Sequence, residues 1–143
     1  MAGDLVVGIG TDGSGVDAAM YAAGLARKAG VSLVLVFGYE ASSLGPRGGP
    51  LEDQIEIIAD EITTGVKAQL AETFPDIAVE VELVRDRPVD SLIRVAEDRE
   101  AEVIVVGHGG SGPLRAALLG SITYELVHRS PIPVLIVPDK EPA

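Results

Sequence analysis

Leu5-Val6-Val7-Gly8-Ile9-Gly10, followed at once by Thr11-Asp12-Gly13-Ser14, sets the pattern for the chain. A near-continuous apolar run marks a strand covered on both faces, because a strand with one wet face alternates polar with apolar. Ser14 stands where a helix cap is expected, ahead of Val16, Ala19, Met20 and Ala23 at i, i+3, i+4 and i+7. Gly30 ends that helix, and Val31 to Phe37 reads as a second buried strand. From Leu51 a helical stripe of Ile55, Ile58, Ile62, Val66 and Leu70 runs to Phe74-Pro75. Ile77 to Val84 sets Val79, Val81 and Leu83 against Glu80 and Glu82, which predicts a strand with one wet face at a sheet edge. Pro88 suits the first turn of a third helix that buries Val89, Leu92, Ile93 and Ala96. Val103 to Val106 is a fourth strand, Ser121 opens a short helix to about Arg129, and Pro133-Val134-Leu135-Ile136-Val137 is a fifth strand. This alternation predicts an α/β fold, a three-layer α/β/α arrangement around a five-stranded, mostly parallel, open-twisted sheet of Rossmann-like kind.

The chain has 143 residues, the length of one domain, 1–143. Apolar residues make up 47% and charged residues 23%, a globular balance. Only three Tyr and two Phe occur and no Trp, so the core must be aliphatic. The absence of Cys excludes a disulfide scaffold, a thiolate metal site and a Cys nucleophile, and agrees with a reducing compartment. The net charge of −11, with three Lys and eight Arg scattered along the chain, lacks the clustered cations that nucleic acid or an anionic membrane surface requires. No run reaches the roughly 18 apolar residues of a membrane span. Met1-Ala2-Gly3-Asp4 has no basic region and leads straight into a strand, so the expectation is a cytoplasmic protein without a signal peptide.

In parallel sheets, ligands bind beyond the carboxyl ends of the strands, where the strand order reverses. The residues after the first strand are Gly10-Thr11-Asp12-Gly13-Ser14. Those after the fourth are Gly107-His108-Gly109-Gly110-Ser111-Gly112, with Gly120-Ser121 at a helix start. Glycines let backbone N–H groups converge on an anion, and a helix N-terminus adds partial positive charge. This is phosphate-binding chemistry without a lysine. Gly8-x-Gly10-x-x-Gly13 and Gly107-x-Gly109-x-x-Gly112 match the dinucleotide fingerprint only in form. Gly8 lies inside its strand, no acid ends the second strand, and the second match runs into Pro113. No Gly-Lys-Ser/Thr occurs, which excludes a Walker loop.

The spacing Gly107-x2-Gly110-x9-Gly120-Ser121 is more specific, expected by chance in roughly two such chains in a hundred. On it the chain resembles the universal stress proteins, whose nucleotide-binding signature is Gly-x2-Gly-x9-Gly-Ser/Thr. Val7-Gly8-Ile9-Gly10-Thr11-Asp12-Gly13-Ser14 is similar to the family's opening strand and turn. Pro88-Val89-Asp90-Ser91-Leu92-Ile93 and Ser130 to Val137 are similar to its third helix start and closing strand. The resemblance implies an adenine nucleotide, ATP before AMP or cyclic AMP, with Mg²⁺ joining through the phosphates. It implies that Asp12 meets the ribose or base beside Gly10 and Thr11. Gly107, Gly110, Gly120 and Ser121 would cradle the phosphates, and Val106 and Ile122 would line the site. Gly38 falls near the position where the family has a Val by the adenine, which implies a more open floor. His108 shares the glycine loop, although no carboxylate stands at a fixed spacing to orient it.

Other readings of the same residues stay open. Asp12 with Ser14 would serve as an Asx turn and cap, and the glycines as plain turn formers. Arg115 would reach a terminal phosphate or be solvated. His128, near a helix end, reads as a dipole contact, and Glu52, Asp53, Glu56, Asp60 and Glu61 read as a wet helix face. The favoured function is a nucleotide-binding stress sensor or regulator. The alternatives are an enzyme of the same architecture hydrolysing ATP or an adenylated substrate, and a partner protein that binds no nucleotide. No general base beyond His108 and Asp12 offers itself, so no catalytic residue is assigned. The last strand is too apolar for a bare edge, and in the family it pairs with its two-fold mate. This implies a homodimer through Ile132 to Val137.

Overall fold

The computed structural model describes residues 3–10, 14–39, 49–109 and 119–138. Its strands are β1 (Leu5–Gly8), β2 (Leu33–Gly38), β3 (Val79–Val84), β4 (Val103–Gly107) and β5 (Val134–Val137). Its helices are α1 (Val16–Ala29), α2 (Pro50–Thr73), α3 (Pro88–Asp98) and α4 (Ser121–Arg129). All strand pairs are parallel, in the order β3-β2-β1-β4-β5. Leu5 pairs with both Leu33 and Val103, so the order reverses between β1 and β4.

The pleat divides the core in two. Leu5, Val7, Leu33, Leu35 and Phe37 pack under α1 and α2. Val6, Val34, Val36, Ile104 and Val106 pack under α3 and α4. α1 lies close on the sheet because its buried face is Ala18, Ala19, Ala22, Ala23 and Ala26. α2 buries Ala59, Thr63, Val66 and Leu70. Ile55 and Ile62 flank that row, whereas Ile58, expected in the stripe, is 40% exposed. In α3, Ser91 and Val95 join Val89, Leu92 and Ala96 in full burial, and Ile93 is only partly covered. Elements differ from expectation by a residue or two at their ends: β3 starts at Val79 and α2 at Pro50.

β3 is an edge strand, as its alternation predicts. Its two acids do not simply face solvent. Arg99 sets two nitrogens on the Glu80 carboxylate at 3.2 Å, meets Glu82 at 2.6 Å and Asp4 at 3.4 Å. The hydrogen bond from Arg99, reinforced by its charge, holds the Glu80 carboxyl below its usual range. A second cluster ties α3 to α4, with Asp90 accepting from Arg87 at 2.9 Å and from Arg129 at 2.6 Å, and with Glu125 accepting from Arg129.

Candidate functional site

The reversal between β1 and β4 opens at their carboxyl ends, and the glycine turns lie there. After β1, Ile9 N–H donates to Val36 and Gly10 N–H closes a turn on the Ser14 carbonyl at 2.9 Å. The cap residue of α1 is Gly15, one place beyond the expected Ser14. Gly15 sits at φ +100°, and a side chain there would run into the Gly8 carbonyl, so only glycine lets the helix start this close to the strand. Thr11 and Asp12 fall outside the described residues.

After β4, the turn is anchored on both sides. His108 N–H donates to the Val137 carbonyl at 2.9 Å, and His108 accepts from Gly120 N–H at 3.1 Å. Gly109 has φ +73°, and a Cβ on it would stand 2.9 Å from the Gly120 Cα. The buried Thr123 hydroxyl donates to the Gly107 carbonyl at 2.8 Å. The His108 ring Nδ1 lies 3.2 Å from the carbonyl of Gly109. Among the described residues, nothing lies within 4 Å of where a Gly107 side chain would start.

α4 starts here with Gly120 as its cap residue, so Ser121 is the first helical residue rather than the cap. Tyr124 N–H makes the first internal bond, to the Gly120 carbonyl. The N–H groups of Ser121, Ile122 and Thr123 therefore precede the helix's own ladder, the arrangement that favours an anion. Ser121 and Ile122 are exposed. The Val106 side chain packs into the core beneath α3 and α4, leaving its backbone to the carboxyl edge.

The fold thus brings Gly10, Gly107, His108, Gly120, Ser121 and Ile122 to the β1–β4 end of the sheet. Gly110 and Arg115 fall outside the described residues. At Gly38, the expectation of an opening is corrected: a Cβ there would stand 2.6 Å from the Ser91 Oγ and 3.0 Å from the Pro88 Cα. The missing side chain makes room for α3. His128 does sit at a helix end, where its Nδ1 is 2.8 Å from the Tyr124 carbonyl and its ring lies against Tyr124. Asp53, Glu56, Asp60 and Glu61 are exposed, as a wet face requires. Among the described residues no three His, Asp or Glu side chains gather to hold a metal, and no helix is long and apolar enough to cross a membrane. The sequence pattern gives Thr123 and Ser91 no role and Gly109 only a formal glycine match, because each matters through a neighbour distant in the chain.

Residues 1–138 match the sequence profile of the universal stress protein family. The chain belongs to that family. It is 29% identical over 134 residues to the universal stress protein Rv2005c of Mycobacterium tuberculosis, a match covering 90% of this chain and 43% of that protein. The chain thus spans less than half the length of the mycobacterial universal stress proteins it matches. A universal stress protein solved in complex with cAMP superposes at a TM-score of 0.74 with 28% identity, covering 96% of this chain and 98% of that one. The universal stress protein of Archaeoglobus fulgidus in complex with dAMP shares the fold at a TM-score of 0.71 and 20% identity, over 95% and 97% of the two chains.

Proposed function

We propose that this universal stress protein binds an adenine nucleotide at the carboxyl ends of β1 and β4. In this reading it acts as a cytoplasmic stress-response sensor or regulator. One observation carries the reading: the glycine turn after β4 is braced against the uncapped start of α4, leaving backbone donors and, among the described residues, open space over Gly107 for phosphate. The cAMP-bound relative supports the adenine nucleotide class. ATP is the first candidate, with AMP and cyclic AMP behind it. Gly107, Gly110, Gly120 and Ser121 cradle the phosphates beside His108 and Ile122. Gly10, Thr11 and Asp12 meet the sugar or base, with Gly38 and Val106 behind them. Mg²⁺ would enter through the phosphates.

The same reading makes the protein a homodimer through Ile132 to Val137. β5 lies at the sheet edge with Val134, Leu135 and Ile136 only half-buried. Beside it runs a mainly apolar groove of about 570 Å³, lined by Met20, Tyr21, Phe74, Leu135, Ile136 and Pro138 among others.

The deciding experiment is to denature the purified protein, identify any released nucleotide by mass spectrometry, and titrate ATP, AMP and cyclic AMP by calorimetry. Gly110→Val is expected to abolish binding, because a side chain fills the space the phosphates need. Asp12→Ala is expected to weaken it by about 10- to 150-fold, the worth of hydrogen bonds to a charged group. Unchanged affinity in both folded variants would place the site elsewhere.

A further inference from the structure

The turn that ends β4 and the turn that opens α4 meet in three ways. Gly120 N–H bonds the His108 carbonyl, Gly109 leaves no room for a side chain against Gly120, and the Thr123 hydroxyl bonds the Gly107 carbonyl sixteen residues back. The third contact is unusual chemistry for its place. A Ser, Asp or Asn cap fixes a helix start by accepting from the N–H of the second or third residue, and so uses up donors. Here the cap is Gly120, which has no side chain to offer. Thr123, the third residue of α4, is 96% buried and spends its hydroxyl on a strand carbonyl rather than on the backbone of its own helix. The helix is thus anchored from the carbonyl side, and its leading N–H groups are not consumed by a cap.

We propose that Thr123 is a positioning residue for the nucleotide, an inference that rests on the binding site proposed above. Its hydroxyl, with the Gly109–Gly120 contact, holds the first turn of α4 against the end of β4 before any ligand arrives. The N–H groups of Ser121 and Ile122 are then fixed relative to Gly107, and binding does not have to order them. Any part of the anchor that serves the fold rather than the cradle is read separately, as a change in melting.

The test compares Thr123→Val, which keeps the shape and loses the hydroxyl, with Thr123→Ser, which keeps the hydroxyl. Affinity for ATP and cyclic AMP is measured by calorimetry, melting by circular dichroism, and exchange of the Gly120 amide by NMR on nucleotide-free protein. Thr123→Val is expected to stay folded, to lose about tenfold in affinity, and to speed Gly120 exchange by a similar factor. Thr123→Ser is expected to stay within about threefold of the parent on both readouts. Parent-like affinity in folded Thr123→Val, or an equal loss in Thr123→Ser, overturns the proposal. Should Thr123→Val fail to fold, Thr123→Ala replaces it, with the same expected loss and with unchanged affinity as the overturning result. Should the parent bind no nucleotide, the binding reading fails by itself. The anchor is then judged on Gly120 exchange, which must quicken in Thr123→Val if Thr123 holds the turn.

Discussion

At one edge of the sheet β3 alternates Val79, Val81 and Leu83 with Glu80 and Glu82, while at the other β5 runs Val134-Leu135-Ile136-Val137 without a charge. An edge strand exposes a row of backbone donors and acceptors that invites pairing with another chain. β3 answers this with acids, and Arg99 pins those acids in place so that their mutual repulsion does not splay the strand. β5 carries no such guard among the described residues and has an apolar groove at its side. One edge is closed by its own side chains; the other leaves an apolar strand half-buried.

The largest effect is expected behind the guarded edge. Gly38 pairs with Val84 at the end of the β2–β3 ladder, and Ser91 occupies the place of its missing side chain. Gly38→Val must push α3 away, and overpacking of this kind costs about 3 kcal/mol, or roughly 10 °C in Tm by calorimetry. A variant that melts like the parent would show that α3 yields easily there. At the open edge, Ile136→Lys puts a charge on a half-buried strand position. If β5 is the dimer seam, light scattering should give a dimer for the parent at micromolar concentration and a monomer for the variant. The variant should also have a lower Tm, because Ile136 packs against the core under α3 and α4. A monomeric parent would make the two edges alike in use and remove the seam.

The smallest effect is expected at Arg99. Arg99→Ala should lower Tm by about 4 °C at pH 7, the scale of a surface ion network. The hydrogen bond and charge of Arg99 lower the folded pKa of Glu80 from its ordinary 4.5, so this stabilisation is complete above that value. It is lost as pH falls through the lowered folded value. The gap between parent and Arg99→Ala should therefore close on acidification, which thermal melts at stepped pH would record. A gap that widens in acid would mean that Arg99 acts through packing.

How much of this the sequence discloses depends on how far apart the partners are. Strand order of appearance, the parallel sheet and the wet edge follow from apolar runs and alternation, which are local. The α2 stripe is harder, because Ile55, Ile58 and Ile62 and the row Ala59, Thr63, Val66 and Leu70 are neighbouring helical faces with the same period. The structure chooses the face with the small residues, which allows close approach, and turns Ile58 outward. The cap of α1 slips by one residue because a carbonyl of β1 stands where any side chain at position 15 would go. In the candidate site the glycine spacing is legible, since it is a pattern within the chain. Thr123 is not, since its meaning lies in a carbonyl sixteen residues away.

The pairing of Leu5 with Val103 has a consequence for how the protein is made. β1 precedes the other strands of this sheet in chain order and takes its centre, yet one of its two neighbours is β4, separated from it by β2, β3 and three helices. β1, β2 and β3 can associate early, but the flank of β1 that belongs to β4 stays open until α3 and β4 have followed them. Such long-range closure is slow relative to helix formation and leaves a growing chain exposed to wrong pairing meanwhile. The cleft between β1 and β4 cannot exist before β4 has been made, so a nascent chain that ends short of β4 lacks the proposed nucleotide site.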